Sequence, residues 1–98
     1  MSSFMSFSGK GIDKERMEFI SERIMVQAYV RDAVVKAMED GWDHGYRGNW
    51  KGQSAPLHLS HAFCHLERAL ARGISGPEAR TDIEHAICRL AMALIQWQ

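Results

Sequence analysis

Two columns of titratable residues carry the chemistry that this sequence has to offer. His58, His61 and His65 recur at three- and four-residue spacing, and Glu78, Asp82 and His85 do so again further along the chain. Imidazoles spaced this way beside a carboxylate support three outcomes. They can ligate a transition metal. They can form a general acid–base pair, because histidine titrates near neutrality. They can also form a polar seam between helices, with histidine donating to aspartate and no ligand bound. Weaker candidates stand beside them. Glu15, Glu18 and Glu22 share one helical face, a pattern able to hold Mg²⁺ through a triphosphate but more commonly a solvated surface. Trp42, Tyr46 and Trp50 can stack a nucleobase, although aromatics in a small domain more often anchor loops on the core. Cys64 and Cys88 lie in apolar surroundings, which raise a thiol's pKa and make both poor nucleophiles.

The columns only matter if helices align them. A long helix is predicted from an N-cap at Asp13 to about Asp40. It carries one apolar stripe through Met17, Ile20 and Ile24, and a second, rotated one through Val26, Val30, Ala33, Ala37 and Met38. Gly41, Gly45, Gly48, Gly52 and Pro56 then punctuate a segment rich in aromatics, which reads as a loop. Helix resumes near Leu57 and stops at Gly73, and Ser75-Gly76-Pro77-Glu78 has the spacing of a capping box for a last helix running to about Trp97. The short connection makes these two helices an antiparallel hairpin.

On a helical wheel, Leu59, Ala62, Phe63, Leu66, Ala69 and Leu70 form the apolar face of the first hairpin helix, and Ala79, Ile83, Ala86, Ile87, Leu90 and Leu94 that of the second. The histidine column, continued by Arg68 and Arg72, flanks the first face. Glu78, Asp82, His85 and Arg89 flank the second in the same rotational sense. With the apolar faces together, both columns fall on one side of the hairpin. Antiparallel order then sets His65 opposite Asp82 or His85.

The chain has 98 residues, with twelve basic and twelve acidic side chains, and reads as a single domain. The expected fold is all-α: a small helical bundle with a long N-terminal helix, a Gly/aromatic loop and a C-terminal helical hairpin. Residues 1–11 are expected to be a flexible arm and 12–98 one domain. The balanced charge argues against a nucleic-acid polymer as partner, since such binders carry a basic excess. No window has the length of a membrane span, no signal-peptide pattern is present, and the cysteines read as reduced thiols of a cytoplasmic protein. A core this small favours a homo-oligomer.

The stretch from Asp32 to Gly41, followed by Gly45-Tyr46-Arg47-Gly48-Asn49-Trp50-Lys51-Gly52 and then by Cys64-His65-Leu66 and Glu84-His85-Ala86, resembles a small phage and prophage family described as dATP/dGTP diphosphohydrolase-like. The resemblance covers roughly residues 31–97. Such proteins belong with the MazG-type all-α nucleotide pyrophosphohydrolases, helical bundles that cleave a nucleoside triphosphate to monophosphate and pyrophosphate with Mg²⁺ held by carboxylate motifs. The ligands differ here. His61, Ala62 and His65 stand where the first carboxylate motif would lie, and Asp82 and His85 where the second would. Mg²⁺ disfavours imidazole, so a divalent metal at His61, His65, Asp82 and His85 would more readily be a transition metal such as Mn²⁺, Fe²⁺ or Zn²⁺.

The resemblance implies a metal-dependent enzyme in which His65, Asp82 and His85 are catalytic and Asn49, Trp50, Arg68 and Arg89 bind the nucleotide. Two other functions compete with it. The same pocket could sequester a nucleotide or a nucleotide-derived signal without turnover, as a counter-defence protein would. Alternatively, the chain could be a structural oligomer or partner adaptor that binds nothing small.

Overall fold

The computed structural model describes residues 13–97. The arm expected over residues 1–11 lies outside them. The fold is an all-α bundle of three helices, α1 (Lys14–Asp43), α2 (Ala55–Ala71) and α3 (Gly76–Ile95), with a short 3₁₀ turn at Asn49–Gly52. No helix among the described residues is long and apolar enough to cross a membrane.

Helix α1 begins where its cap predicts, the Asp13 carboxylate accepting the Arg16 backbone N–H at 2.8 Å. It runs on through Gly41 and stops at Gly45, whose φ of 89° no L side chain adopts readily. There the Tyr46 N–H reaches Gly41 O at 2.8 Å and the Gly45 N–H reaches Trp42 O at 3.1 Å, the paired bonds of a Schellman motif. The loop is therefore shorter than the glycine spacing predicts. Helix α2 starts two residues before Leu57, with Ser54 accepting from the Leu57 N–H. It ends in a second Schellman motif at Gly73, through Ile74 N–H to Ala69 O and Gly73 N–H to Leu70 O.

The expected capping box of α3 does not form, because Ser75 makes no side-chain cap bond. Gly76 enters the helix at a φ of 85°, so the first N–H groups of α3 are not lined up on the Ser75 hydroxyl.

Helix α3 is central and packs against both α1 and α2. Asp82, Glu84, Ala86 and Cys88 are all buried, a pattern that requires cover on two sides. Glu84 meets α1 through Lys36 at 3.8 Å and is held on its own helix by Arg80 at 3.3 Å. The buried apolar residues are small: Ala33 and Ala37 on α1, Ala55, Ala62 and Ala69 on α2, and Ala79, Ala86, Cys88 and Ala93 on α3. Alanine at these positions lets the helix backbones approach closely.

The apolar faces drawn on the wheel are buried at their alanines, Ala62, Ala69, Ala79 and Ala86, and not at most of their larger residues. Leu59, Phe63, Leu66 and Leu70 of α2 are exposed, as are Leu90 and Leu94 of α3, Phe63 by 61% and Leu94 by 75%. The hairpin instead closes on alanines together with residues of the polar columns, including His58 and Asp82. The N-terminal half of α1, before Ala33, has no buried residue and projects from an elongated body of 54 × 34 × 23 Å.

Candidate functional site

The end of α1, the loop after it and one face of the α2–α3 hairpin enclose a cleft of about 880 Å³. Trp42 lines it from the last turn of α1, Tyr46 and Trp50 from the loop, and His61, His65 and His85 from the hairpin helices. Arg47, Lys51 and Arg89 also line it, against Asp40 as the one carboxylate among the described lining residues. An open cleft with aromatic and cationic walls suits a flat, anionic ligand.

The hairpin geometry brings the two columns together as antiparallel order requires. The Nδ1–H of His65 donates to Asp82 Oδ1 at 2.9 Å, and the His65 and His85 rings lie 5.2 Å apart, tilted by 32°. Asp82 is almost fully buried yet holds three partners: the His65 ring, Arg72 on its other oxygen, and Arg68 at 3.6 Å. The hydrogen bond from His65, and then the Arg72 and Arg68 charges, hold its carboxyl below the usual aspartate value although burial opposes this. With Nδ1–H committed to Asp82, the Nε2 of His65 keeps a free lone pair, and His65 lines the cleft. A carboxylate fixing one imidazole nitrogen so that the other can take a proton is the arrangement of a general base. Beside it, His85 Nε2 meets Asp40 Oδ2 at 3.2 Å, which ties α3 to the end of α1.

His61 also lines the cleft. Desolvation lowers its pKa first, and the positive charge of Arg89 adds to the effect. Arg89 donates from Nη1 to Gln53 Oε1 at 2.6 Å and to His58 Nδ1 at 3.0 Å. His58 is fully buried, and its Nε2–H donates to the Trp50 carbonyl at 3.0 Å. That carbonyl also accepts from Gln96 at the end of α3. Trp50 therefore lines the cleft on a turn pinned from two helices. Asn49 lines the cleft as well, on the exposed side of the same turn. Arg68 and Asp82 do not line it, since the Arg68 guanidinium faces Asp82. Glu15, Glu18 and Glu22 are exposed on the projecting half of α1, remote from the cleft. Cys88 is buried, and burial raises its thiol pKa. Cys64 is exposed, which departs from the apolar surroundings expected of it.

The donor set does not fit Mg²⁺ held by carboxylates. Both oxygens of Asp82 are engaged, one by His65 and one by Arg72, and among the described residues Asp40 is the only carboxylate that lines the cleft. Among the described residues no three His, Cys, Asp or Glu side chains are gathered closely enough to hold an ion.

Asp40, Gln53 and the role of His58 escape a reading by periodicity. Asp40 reaches His85 across 45 residues of sequence and Gln53 reaches Arg89 across 36, so helical spacing carries no signal for either. Comparison of the chain with protein-family models, with curated proteins and with solved structures gave no match.

Proposed function

We propose that this cleft binds a (deoxy)nucleoside triphosphate and cleaves it to monophosphate and pyrophosphate. The observation that carries the reading is the joint presence, in one cleft, of an aromatic loop, three cationic side chains and a histidine oriented by a buried aspartate. The base would stack against Trp50 or its neighbours on the loop. The phosphates would face Arg47, Lys51 and Arg89, cations that oppose polyanion charge in a partly desolvated site. His65, held by Asp82, would take a proton through Nε2 from a water whose oxygen attacks the α-phosphorus. The bond from that phosphorus to the bridging oxygen breaks, and its electron pair leaves with pyrophosphate. His85 would assist on the same wall, while Asn49 would contact the ligand and Arg68 would act through Asp82.

The test is turnover of dATP and dGTP, read as pyrophosphate release, in Mg²⁺ and then in Mn²⁺. A metal analysis of the purified protein would run alongside it. The His65→Ala variant should lose about 10²–10⁴-fold in rate while still binding nucleotide. Equal rates for wild type and variant would sink the catalytic role of His65.

A second reading, capture of a nucleotide or nucleotide-derived signal without turnover, is favoured by one observation. Both Asp82 oxygens are taken by His65 and Arg72, and among the described residues a single carboxylate lines the cleft. Saturable binding with no pyrophosphate released would select it. The exposed leucine and phenylalanine stripe of α2 further supports a homo-oligomer.

A further inference from the structure

A partly buried guanidinium normally faces a carboxylate, because an unpaired charge is costly to desolvate. Arg89 does not. Its two partners are neutral, the Gln53 side-chain carbonyl at 2.6 Å and the His58 ring at 3.0 Å. Burial pushes its pKa down.

The geometry of those two bonds is specific. Both leave from Nη1, which has two hydrogens, so that nitrogen is fully used. A guanidinium has five N–H donors. The Nη2 and Nε groups therefore keep three, with no partner among the described residues. Neither nitrogen is a buried unsatisfied atom, and Arg89 lines the cleft. The acceptors themselves are rigidly held. His58 is fully buried and tied by Nε2–H to the Trp50 carbonyl, so its Nδ1 lone pair is presented to Arg89 and nowhere else. Gln53 closes the 3₁₀ turn that carries Trp50, its backbone N–H bonded to Trp50 O at 3.1 Å.

From this we infer that Arg89 is a preorganised receptor for a phosphate group, with its positive charge deliberately left uncancelled, and that Gln53 and His58 are the positioning residues that aim it. Neutral acceptors hold the fork in place as a carboxylate would, but they leave its full charge for an anionic ligand. The chemical class is an oligophosphate, because Lys51 and Arg47 line the same cleft and extend the cationic wall. The inference rests on reading the cleft as a phosphate-ligand site, but it does not need the ligand to carry a base or to be hydrolysed.

The test separates charge from shape. Inorganic tripolyphosphate is titrated calorimetrically into the wild type, Gln53→Glu and Gln53→Ala. The glutamate variant sets a carboxylate against Arg89 without changing side-chain size, so it should bind at least about tenfold more weakly with an undiminished thermal midpoint. The alanine variant loses the strut but keeps the charge, and should fall between the two. Equal affinities for wild type and Gln53→Glu would overturn the inference, as would equal losses in both variants or no binding of tripolyphosphate by the wild type. Tripolyphosphate binding without dATP binding would uphold the inference and remove the nucleotide reading of the cleft.

Discussion

Asp82 is the residue on which the site turns. It sits on the central helix, nearly without solvent, and is held ionised by the hydrogen bond from His65 and by Arg72 and Arg68. Its folded pKa is depressed below 3.8. The unfolded chain therefore takes up this proton first as pH falls, and stability present above about pH 4 should be lost through the acid range. His61, also depressed, adds loss below its ordinary value of 6.5 in the same direction. Urea unfolding midpoints measured from pH 7 to pH 3 should thus decline steadily in the wild type. Asp82→Asn should flatten the lower part of that decline and cost about 1–3 kcal/mol at neutrality, since the buried hydrogen bond and charge pairing are lost. A parallel decline in the variant would assign acid sensitivity elsewhere. The two cysteines give a second check at this scale. Exposed Cys64 should react quickly with a thiol reagent, and Cys88, which lines the cleft while nearly buried, far more slowly. Fast labelling of both would contradict the packing of α3.

At the scale of elements, the α2–α3 connection is short and strained. Ile74 has a φ of 55°, in the left-handed region that a β-branched residue avoids. Ile74→Gly should raise stability by about 1 kcal/mol, read from the thermal midpoint, because glycine pays no Cβ penalty there. A lower midpoint would mean that the exposed isoleucine makes a contact worth more than its strain. This connection also shows what helical periodicity can and cannot reveal. The spacing of His65, Asp82 and His85 is enough to place them together once the hairpin is antiparallel, because the two columns share a rotational sense. It cannot reveal which face closes. A wheel groups Leu59, Phe63, Leu66 and Leu70 with Ala62 and Ala69 on one broad face, yet only the alanines are buried. Close backbone approach selects small residues, and the bulky ones turn outward. The cleft was legible only in part for a related reason. His65 with Asp82 is a contact between neighbouring helices, whereas His85 with Asp40 and Arg89 with Gln53 depend on how α1 and the loop dock on α3.

The whole molecule has a small core and much uncovered apolar surface. Among the described residues the largest fully buried side chain is His58, while Phe63, Leu70, Leu94 and most apolar residues of the projecting half of α1 stand exposed. A single chain of this kind would hide apolar area by pairing with a second copy, which is worth about 25 cal/mol per Å² removed from water. Light scattering on the purified protein should give a mass at least twice that of the chain, and Phe63→Glu should lower it. A monodisperse monomer would mean that the stripe has another occupant.

A nucleotide-binding cleft must draw much of its affinity from the phosphates as well as from the base. Calorimetric titration of dATP against deoxyadenosine tests this directly. Saturable binding of dATP at one site per chain is expected. The nucleoside should bind at least about tenfold more weakly, because three cations line the cleft and charge-assisted hydrogen bonds to phosphate contribute about 1.5–3 kcal/mol. No heat with dATP, or equal affinity for the two ligands, would contradict it.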